Sequence, residues 1–440
     1  MGKAILCVDD EKIITDSLKT QIKNYLGNDY EIETAESGEE AIDLLEELIE
    51  EGHEVPLIIS DYMMPGLKGD ELLIKVNTMA PQIIKILLTG QATIEGVTNA
   101  INHANLYRYI SKPWVKEDIE LAINEAIKSY MKDRQIENQY KELQQWASAF
   151  IETMGTVLDR RDTTTAGHSN RLAAYAVKLA RKINDTSEGV YHNVSFTEEE
   201  IQELYFAALL HDIGKIGVRE SVLLKQYRLS TEKQAEIIAR FNWIRTSLEL
   251  KQMKLALNKK ESALLYNIDE YLEFVLTISK CDFIKDEDSQ KIKNIAETSY
   301  EDHEGLAKKL LTEFEQTNLL VKKGNLTHDE RSEIETHAEH TYSILKGLPW
   351  PKNLENVPSI AASHHEKLNG TGYYKGLKAD DIPMQARILA LLDIYEALTA
   401  SDRTYKGAKS HQEAIKILEY EATAGNLDKD ILEIFTTMND

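Results

Sequence analysis

The 440-residue chain carries 51 Lys and Arg against 74 Asp and Glu, a formal net charge of -23, with 42% hydrophobic and 28% charged residues. That allows two or three domains with ordinary cores, and excludes a disordered or a membrane-embedded composition. So acidic a chain lacks the basic surface that nucleic-acid duplex binding needs, so any phosphate it holds must be gripped by metal or by a local cluster of cations. The two cysteines, Cys7 and Cys281, offer neither a disulfide framework nor a CxxC metal site. The chain opens on a strand-like segment rather than a charged and then apolar leader, and no apolar stretch approaches membrane-spanning length. A reducing, cytoplasmic setting without a membrane partner is the expectation.

In chain order, short apolar runs at residues 4–8, 31–34, 57–59, 83–88 and 108–110 read as strands, and segments between them, such as 13–26 and 39–49, carry helical periodicity. Five β-α pairs with continuous apolar strands predict a doubly wound parallel sheet over residues 1–125. From Val115 onward the pattern turns helical, and the remainder is expected to be all-α, with breaks at Gly214, Gly324, 347–351 and 369–376. Within 126–158, Ile136, Tyr140, Leu143, Ala147, Phe150, Met154 and Val157 repeat at alternating spacings of four and three, a heptad seam. Two readings stand side by side: a linker helix pairing in parallel with a second copy, and a long helix packed on its own neighbouring domain.

Asp9 and Asp10 end the first strand and Asp61 the third. In a doubly wound sheet the carboxyl ends of neighbouring strands meet at the switch point where ligands bind. Three carboxylates converging there repel one another unless a cation neutralises them, and oxygen ligands suit Mg²⁺. Thr89 and Lys112 would add a hydroxyl and a cation at the same edge, and Lys112-Pro113 reads as a tight turn of the kind that accommodates a cis bond. Each acid taken singly reads as a cap or turn residue; the set points to a site. The segments Val8-Asp9-Asp10-Glu11, Ser60-Asp61-Tyr62-Met63-Met64-Pro65-Gly66, Leu88-Thr89-Gly90 and Tyr109-Ile110-Ser111-Lys112-Pro113-Trp114 resemble a two-component response regulator receiver. The resemblance implies that Asp61 accepts a phosphoryl group from a cognate histidine kinase. It further implies that Asp9, Asp10 and Asp61 hold Mg²⁺, that Thr89 and Lys112 contact the phosphoryl group, and that Tyr109 is the switch aromatic.

The second half places ligand-type side chains where they are expensive. Leu209-Leu210-His211-Asp212-Ile213-Gly214-Lys215 sets a His-Asp pair at an apolar helix end, and Leu391-Leu392-Asp393-Ile394 buries a carboxylate in an apolar run. His168 stands at a helix start, and Ser363-His364-His365-Glu366 precedes a Gly-rich turn. A single histidine is most often a hydrogen-bonded core or surface residue, which is the reading for His53, His103, His192, His303, His328 and His411. Imidazoles and carboxylates from separated helices suit Fe, Mn or Zn, and so many of them suggest two ions.

His168, His211-Asp212 and Asp393 follow the H…HD…D pattern of the HD phosphohydrolase superfamily. With His364-His365-Glu366-Lys367-Leu368-Asn369-Gly370-Thr371-Gly372-Tyr373, the chain resembles the HD-GYP subfamily, which hydrolyses cyclic di-GMP. The resemblance covers about 150–228 and 325–435 of a domain placed at 159–435. It implies a further ligand, His337, with His340 one turn away as the fallback. Asp212 would bridge two divalent transition metals, Fe or Mn ahead of Zn, with His168, His211 and Asp393 on one side and His337, His364 and His365 on the other.

Lys215 is expected on the same helical face as His211, and with Arg403 and Lys406 to contact the substrate phosphate; Asp212 and Lys215 are the catalytic candidates. Three features depart from the subfamily pattern. Tyr374 replaces the Pro of the GYP signature, residues 230–324 are an extra helical segment, and Thr164 stands where a carboxylate would support a third metal. The expected function is phosphorylation-regulated hydrolysis of cyclic di-GMP to pGpG or GMP, with a homodimer through the linker helix and a diguanylate cyclase as a further candidate partner. The alternatives are a non-enzymatic nucleotide- or partner-binding effector and a phosphohydrolase of another cyclic dinucleotide.

Overall fold

The computed structural model describes residues 2–90, 94–161, 167–400 and 408–438, without the side chains of 94–97 and 100. The chain forms two compact units, residues 1–146 and 147–440.

The first unit is a five-stranded parallel sheet of order β2-β1-β3-β4-β5, from β1 (Lys3–Val8), β2 (Glu31–Ala35), β3 (Glu54–Asp61), β4 (Ile84–Thr89) and β5 (Arg108–Ser111). Helices α1 (Lys12–Leu26), α2 (Gly38–Glu50), α3 (Gly69–Met79), α4 (Ile94–Ala104) and the first part of α5 (Lys116–Arg161) follow the strands. Strands such as β1 and β3 are buried along nearly their whole length, because helices cover both faces of a parallel sheet. Each face accordingly has its own core: Leu6, Val8, Ile58 and Leu87 on one side, Ile5, Cys7, Ile59 and Ile86 on the other. The order reverses between β1 and β3, so Asp9, Asp10 and Asp61 meet at the switch point as the sequence predicts.

The second unit is helical. After the last part of α5 come α6 (His168–Asn184), α7 (Glu198–Leu210), α8 (Glu220–Leu223), α9 (Thr231–Met253), α10 (Lys259–Ser279), α11 (Asp286–Glu297) and α12 (Glu313–Leu319). They are followed by α13 (His328–Lys346), α14 (Val357–Ala362), α15 (Met384–Thr399), α16 (His411–Thr423) and α17 (Lys429–Thr436). Capping boxes start α7 at Thr197/Glu200 and α13 at Thr327/Glu330, each hydroxyl accepting from the third backbone N–H while the Glu carboxylate returns the bond. One core joins α6, α7, α14, α15 and α17 through residues such as Leu172, Leu204, Ile360, Leu391 and Ile431.

The all-α expectation needs one correction. Two three-residue strands, β6 (Ser299–Glu301) and β7 (Ala307–Lys309), pair antiparallel. They are too short and too exposed to show an alternating pattern. Their turn is set by Asp302, whose carboxylate accepts from Glu304 N and Leu306 N, both at 2.9 Å.

The segment between α8 and α13 has its own core, including Leu229, Phe241, Ile268, Ile292 and Leu319. Its base is tied by Arg228, a fully buried cation that donates to Val321 O at 3.1 and 2.9 Å and to Ile278 O at 3.2 Å, while Arg228 N bonds Ser279 O at 3.0 Å. Lys225 adds an ion pair to Glu330 at 2.6 Å.

The heptad seam on α5 is packed only in part. Met154 and Ile151 pack on the core of the second unit, whereas Ile136, Tyr140 and Leu143 are exposed.

Arg228→Ala leaves the Val321 carbonyl without its donor, while Ile278 O keeps the backbone N–H of Cys281. The expected cost is about 1–3 kcal/mol in the 230–324 segment, read as a lower urea midpoint and faster proteolytic cutting within α9–α12.

Candidate metal centre and phosphoacceptor site

The metal-type residues of the second unit converge. His211 follows the last turn of α7, and the chain then turns into a short 3-10 helix, Ile213–Gly217. That tight turn exists because α13 crosses directly over it: a Cβ on Gly214 would lie 1.9 Å from His337 O and 2.5 Å from Thr341 N. Thr341 Oγ accepts from Gly214 N at 3.0 Å and donates to His211 O at 2.9 Å, which fixes the crossing. His337 is thereby held against Asp212.

Asp212 is the centre. Its Oδ2 lies 3.2 Å from His211 Nε2 and 2.7 Å from Lys215 Nζ, and its Oδ1 lies 3.4 Å from His337 Nε2 and 3.9 Å from His364 Nε2. On one side His168 Nε2 sits 3.3 Å from both His211 Nε2 and Asp393 Oδ1. On the other, the His365 ring centroid lies 4.0 Å from that of His364 and 5.0 Å from that of His337. His168, His211 and Asp212 form one group whose ligand atoms all lie within 4.8 Å of one another, and His337, His364 and His365 form a second. His340, the fallback, turns to Gly217 instead, where a Cβ would lie 2.6 Å from its Nδ1.

Backbone carbonyls set the tautomers. His211 Nδ1 donates to Ala208 O at 2.8 Å, His337 Nδ1 to Ile334 O at 2.5 Å and His364 Nδ1 to Ala361 O at 2.6 Å. Each Nε2 lone pair then points inward, as metal ligation requires. His337 Nε2 and His364 Nε2 are buried with no hydrogen-bond partner, which is costly unless a cation accepts them. This donor set fits divalent transition metals.

Electrostatics agree. Burial raises the Asp212 carboxyl, but His211, Lys215 and His337 outweigh it and hold Asp212 well below the usual carboxylate range. Burial, reinforced by neighbouring imidazoles, lowers His337 and His364, and pushes His365 down to about 3, so these three are neutral ligands at neutral pH. His168 differs. Burial lowers it, yet Asp393 and Glu396 overcome that and push it up to about 10.

Sequence reasoning missed Glu396. It is buried one helical turn after Asp393 on α15, accepts from His168 Nδ1, and is itself held by Arg171 at 2.5 Å. The i, i+3 spacing of two acids in an apolar helix was the available signal. Glu366 was missed too: its carboxylate accepts from Lys375 N at 2.8 Å and Leu377 N at 2.9 Å, shaping the Gly-rich loop. Tyr373 from that loop lies over His365, ring centroids 4.8 Å apart. Lys215 was expected on one helical face with His211; instead α7 ends at Leu210 and the 3-10 turn brings Lys215 to Asp212. Arg403, Lys406 and Thr164 lie outside the described residues.

In the first unit, Asp9, Asp10 and Asp61 each bring a carboxylate oxygen within 4.8 Å of the others. Lys112 Nζ pairs with Asp9 Oδ2 and Asp61 Oδ1, both at 2.6 Å, and the Lys112–Pro113 bond that follows is cis. Thr89 Oγ1 is buried without a partner beside them, and Tyr109 is exposed. An orphan hydroxyl next to clustered acids suits a cation together with an oxyanion.

Comparison with known proteins gives the class. Residues 5–124 match the response regulator receiver domain, and residues 165–266 and 314–431 match HD domains. This chain therefore joins a response regulator receiver domain to an HD domain, a metal-dependent phosphohydrolase fold. The particular arrangement recurs along nearly its full length in two relatives. A probable cyclic di-GMP phosphodiesterase of Vibrio cholerae is 24% identical over 445 residues, covering 98% of this chain and 76% of that protein. A cyclic di-GMP phosphodiesterase of Thermotoga maritima is 22% identical over 450 residues, covering 98% and 89%. A 3'3'-cGAMP-specific phosphodiesterase 3 of Vibrio cholerae is 39% identical over 101 residues, covering 23% of this chain and 21% of that protein.

Glu396→Ala removes the acceptor that orients His168. Metal affinity is expected to fall about 10–100-fold, measured by competition with a fluorescent chelator. Because His168 is protonated in the metal-free chain below about pH 10, loading the wild type should release a proton from it at pH 7. Calorimetry in buffers of different ionisation enthalpy reads that release.

Proposed function

We propose that this chain is a phosphorylation-regulated, metal-dependent phosphodiesterase that hydrolyses cyclic di-GMP to pGpG and on to GMP. The observation that carries the reading is one carboxylate, Asp212, set between two histidine groups, with His337 Nε2 and His364 Nε2 buried and without a hydrogen-bond partner. His168, His211 and Asp393 would hold one ion and His337, His364 and His365 the other, with Asp212 between. Divalent ions at these residues supply Lewis acidity toward a phosphoryl oxygen and make water a nucleophile at neutral pH.

The side chains do the rest. Carbonyl-fixed tautomers keep the imidazole lone pairs inward without reorganisation. Lys215 Nζ, at the rim beside Asp212, neutralises charge that grows on the non-bridging phosphoryl oxygens. In the reaction the oxygen of water bonds to phosphorus, the P–O3' ester bond breaks, and a proton passes to the departing 3'-oxygen. Burial of the histidines keeps bulk water from competing for the ligands.

Asp61, with Asp9 and Asp10 around a Mg²⁺, is the phosphoacceptor on this reading. Lys112 and Thr89 contact the phosphoryl oxygens, and Tyr109 reports the change. A second reading, action on another cyclic dinucleotide, is favoured by the 3'3'-cGAMP-specific relative.

Anaerobically purified protein loaded with Mn²⁺ or Fe²⁺ should turn over cyclic di-GMP, with Asp212→Ala at background. Binding without product would favour a non-enzymatic effector, and faster turnover of 3'3'-cGAMP in the same panel would favour the second reading. With acetyl phosphate and Mg²⁺ the intact mass should rise by one phosphoryl group, and Asp61→Asn should abolish the gain; no gain in wild type beside a working control would refute the receiver assignment.

A further inference from the structure

The segment between α8 and α13 has its own core and supplies none of the residues that converge on Asp212. Its first two helices form a hairpin. α9 runs 23 residues outward from the Arg228 base, about 34 Å at 1.5 Å per residue, and α10 returns to Ser279, which Arg228 N closes at 3.0 Å. Ile237, Phe241, Ile244 and Leu248 of α9 share a core with Leu264, Ile268, Val275 and Ile278 of α10.

The far tip is built unlike the rest of the chain. Residues 250–260 read Leu-Lys-Gln-Met-Lys-Leu-Ala-Leu-Asn-Lys-Lys, with no acid among them in a chain of net charge -23. Leu250, Met253 and Leu255 are 54%, 82% and 95% exposed. Lys251 is paired with Glu261 and Glu301, at 2.7 and 2.9 Å. Lys254, Lys259 and Lys260 make no ion pair among the described residues. Glu249 flanks the tip, and in the nearby β6–β7 turn Asp302 is neutralised by Lys308 at 2.8 Å.

Lys259 and Lys260 stand in the first turn of α10, where the helix dipole disfavours cations. Local stability therefore does not explain them. Nor does folding explain large apolar side chains at the apex of a convex turn, where they bury nothing.

We propose that this hairpin tip docks on an anionic lipid surface, with Met253 and Leu255 entering the headgroup region and Lys254, Lys259 and Lys260 meeting lipid phosphates. Apolar side chains ringed by long cationic stems are the pattern of interfacial insertion, in which the stems snorkel. A specific protein partner would need a patch of roughly 800 Å² on this side, whereas the exposed apolar side chains here are three, Leu250, Met253 and Leu255. A bilayer instead closes around a convex point. Of the acids at this end, Glu261 and Glu301 are paired with Lys251 and Asp302 with Lys308, which leaves Glu249 and Glu304 beside the tip; the acids around the Arg228 base lie a helix length away, several times the Debye length of about 8 Å in physiological salt. The expectation of no membrane partner rested on the absence of a leader-like and of a membrane-spanning segment, neither of which bears on surface attachment.

The test is flotation of the full-length protein with vesicles of phosphatidylcholine alone or with phosphatidylglycerol added. Binding is expected on the phosphatidylglycerol vesicles, weakening with salt. The Met253→Ser/Leu255→Ser variant should abolish it, and Lys254→Glu/Lys259→Glu/Lys260→Glu should weaken it at least about tenfold, since each lysine near an anionic surface contributes several-fold. The charge variant relieves the helix-dipole conflict at two positions, so an unchanged or higher melting temperature separates lost binding from lost folding. No binding to phosphatidylglycerol vesicles, or binding that both variants retain, overturns the proposal. So does a concentration-dependent rise in mass by light scattering that the variants remove, which would place a second copy of the chain on the tip.

Discussion

A carboxylate buried among imidazoles is the constraint around which the second unit is arranged. Asp212 sits at the meeting point of two histidine groups, and without cations two inward nitrogens, those of His337 and His364, would stay buried and unpaired. Each piece of surrounding structure keeps that convergence in place. Gly214 lets α13 cross close enough to deliver His337, Thr341 locks the crossing, and Glu396 reaches across from α15 to orient His168. The core residues of α6, α7, α14 and α15 then fix the angles at which these helices meet.

The receiver solves a smaller version of the same problem. Three carboxylates at a switch point are tolerable when Lys112 and a bound cation offset their repulsion. In both units, acids are placed where folding alone would not put them, and a bound cation would offset the electrostatic cost.

Most of this was legible before the structure, for physical reasons that can be named. The receiver strands are continuous apolar runs, and their carboxyl ends follow from the topology, so Asp9, Asp61, Thr89 and Lys112 could be placed together. His211, Asp212 and Asp393 stood out because they interrupt apolar helices. Glu396 did not, because a glutamate in a helix is ordinary until its partner is seen. The 3-10 turn carrying Lys215 depends on α13 passing over Gly214, a contact more than a hundred residues away in sequence. β6 and β7 were missed because three exposed residues hold no period. The seam on α5 could not be assigned to one partner from spacing alone, and the structure divides it between exposed residues and residues that pack on the second unit.

Anomalous diffraction at the manganese edge from crystals grown with Mn²⁺ tests the central claim most directly. Two peaks should flank the Asp212 carboxylate, one against His168 and His211, the other against His337, His364 and His365. A single peak, or none within reach of Asp212, would contradict the account.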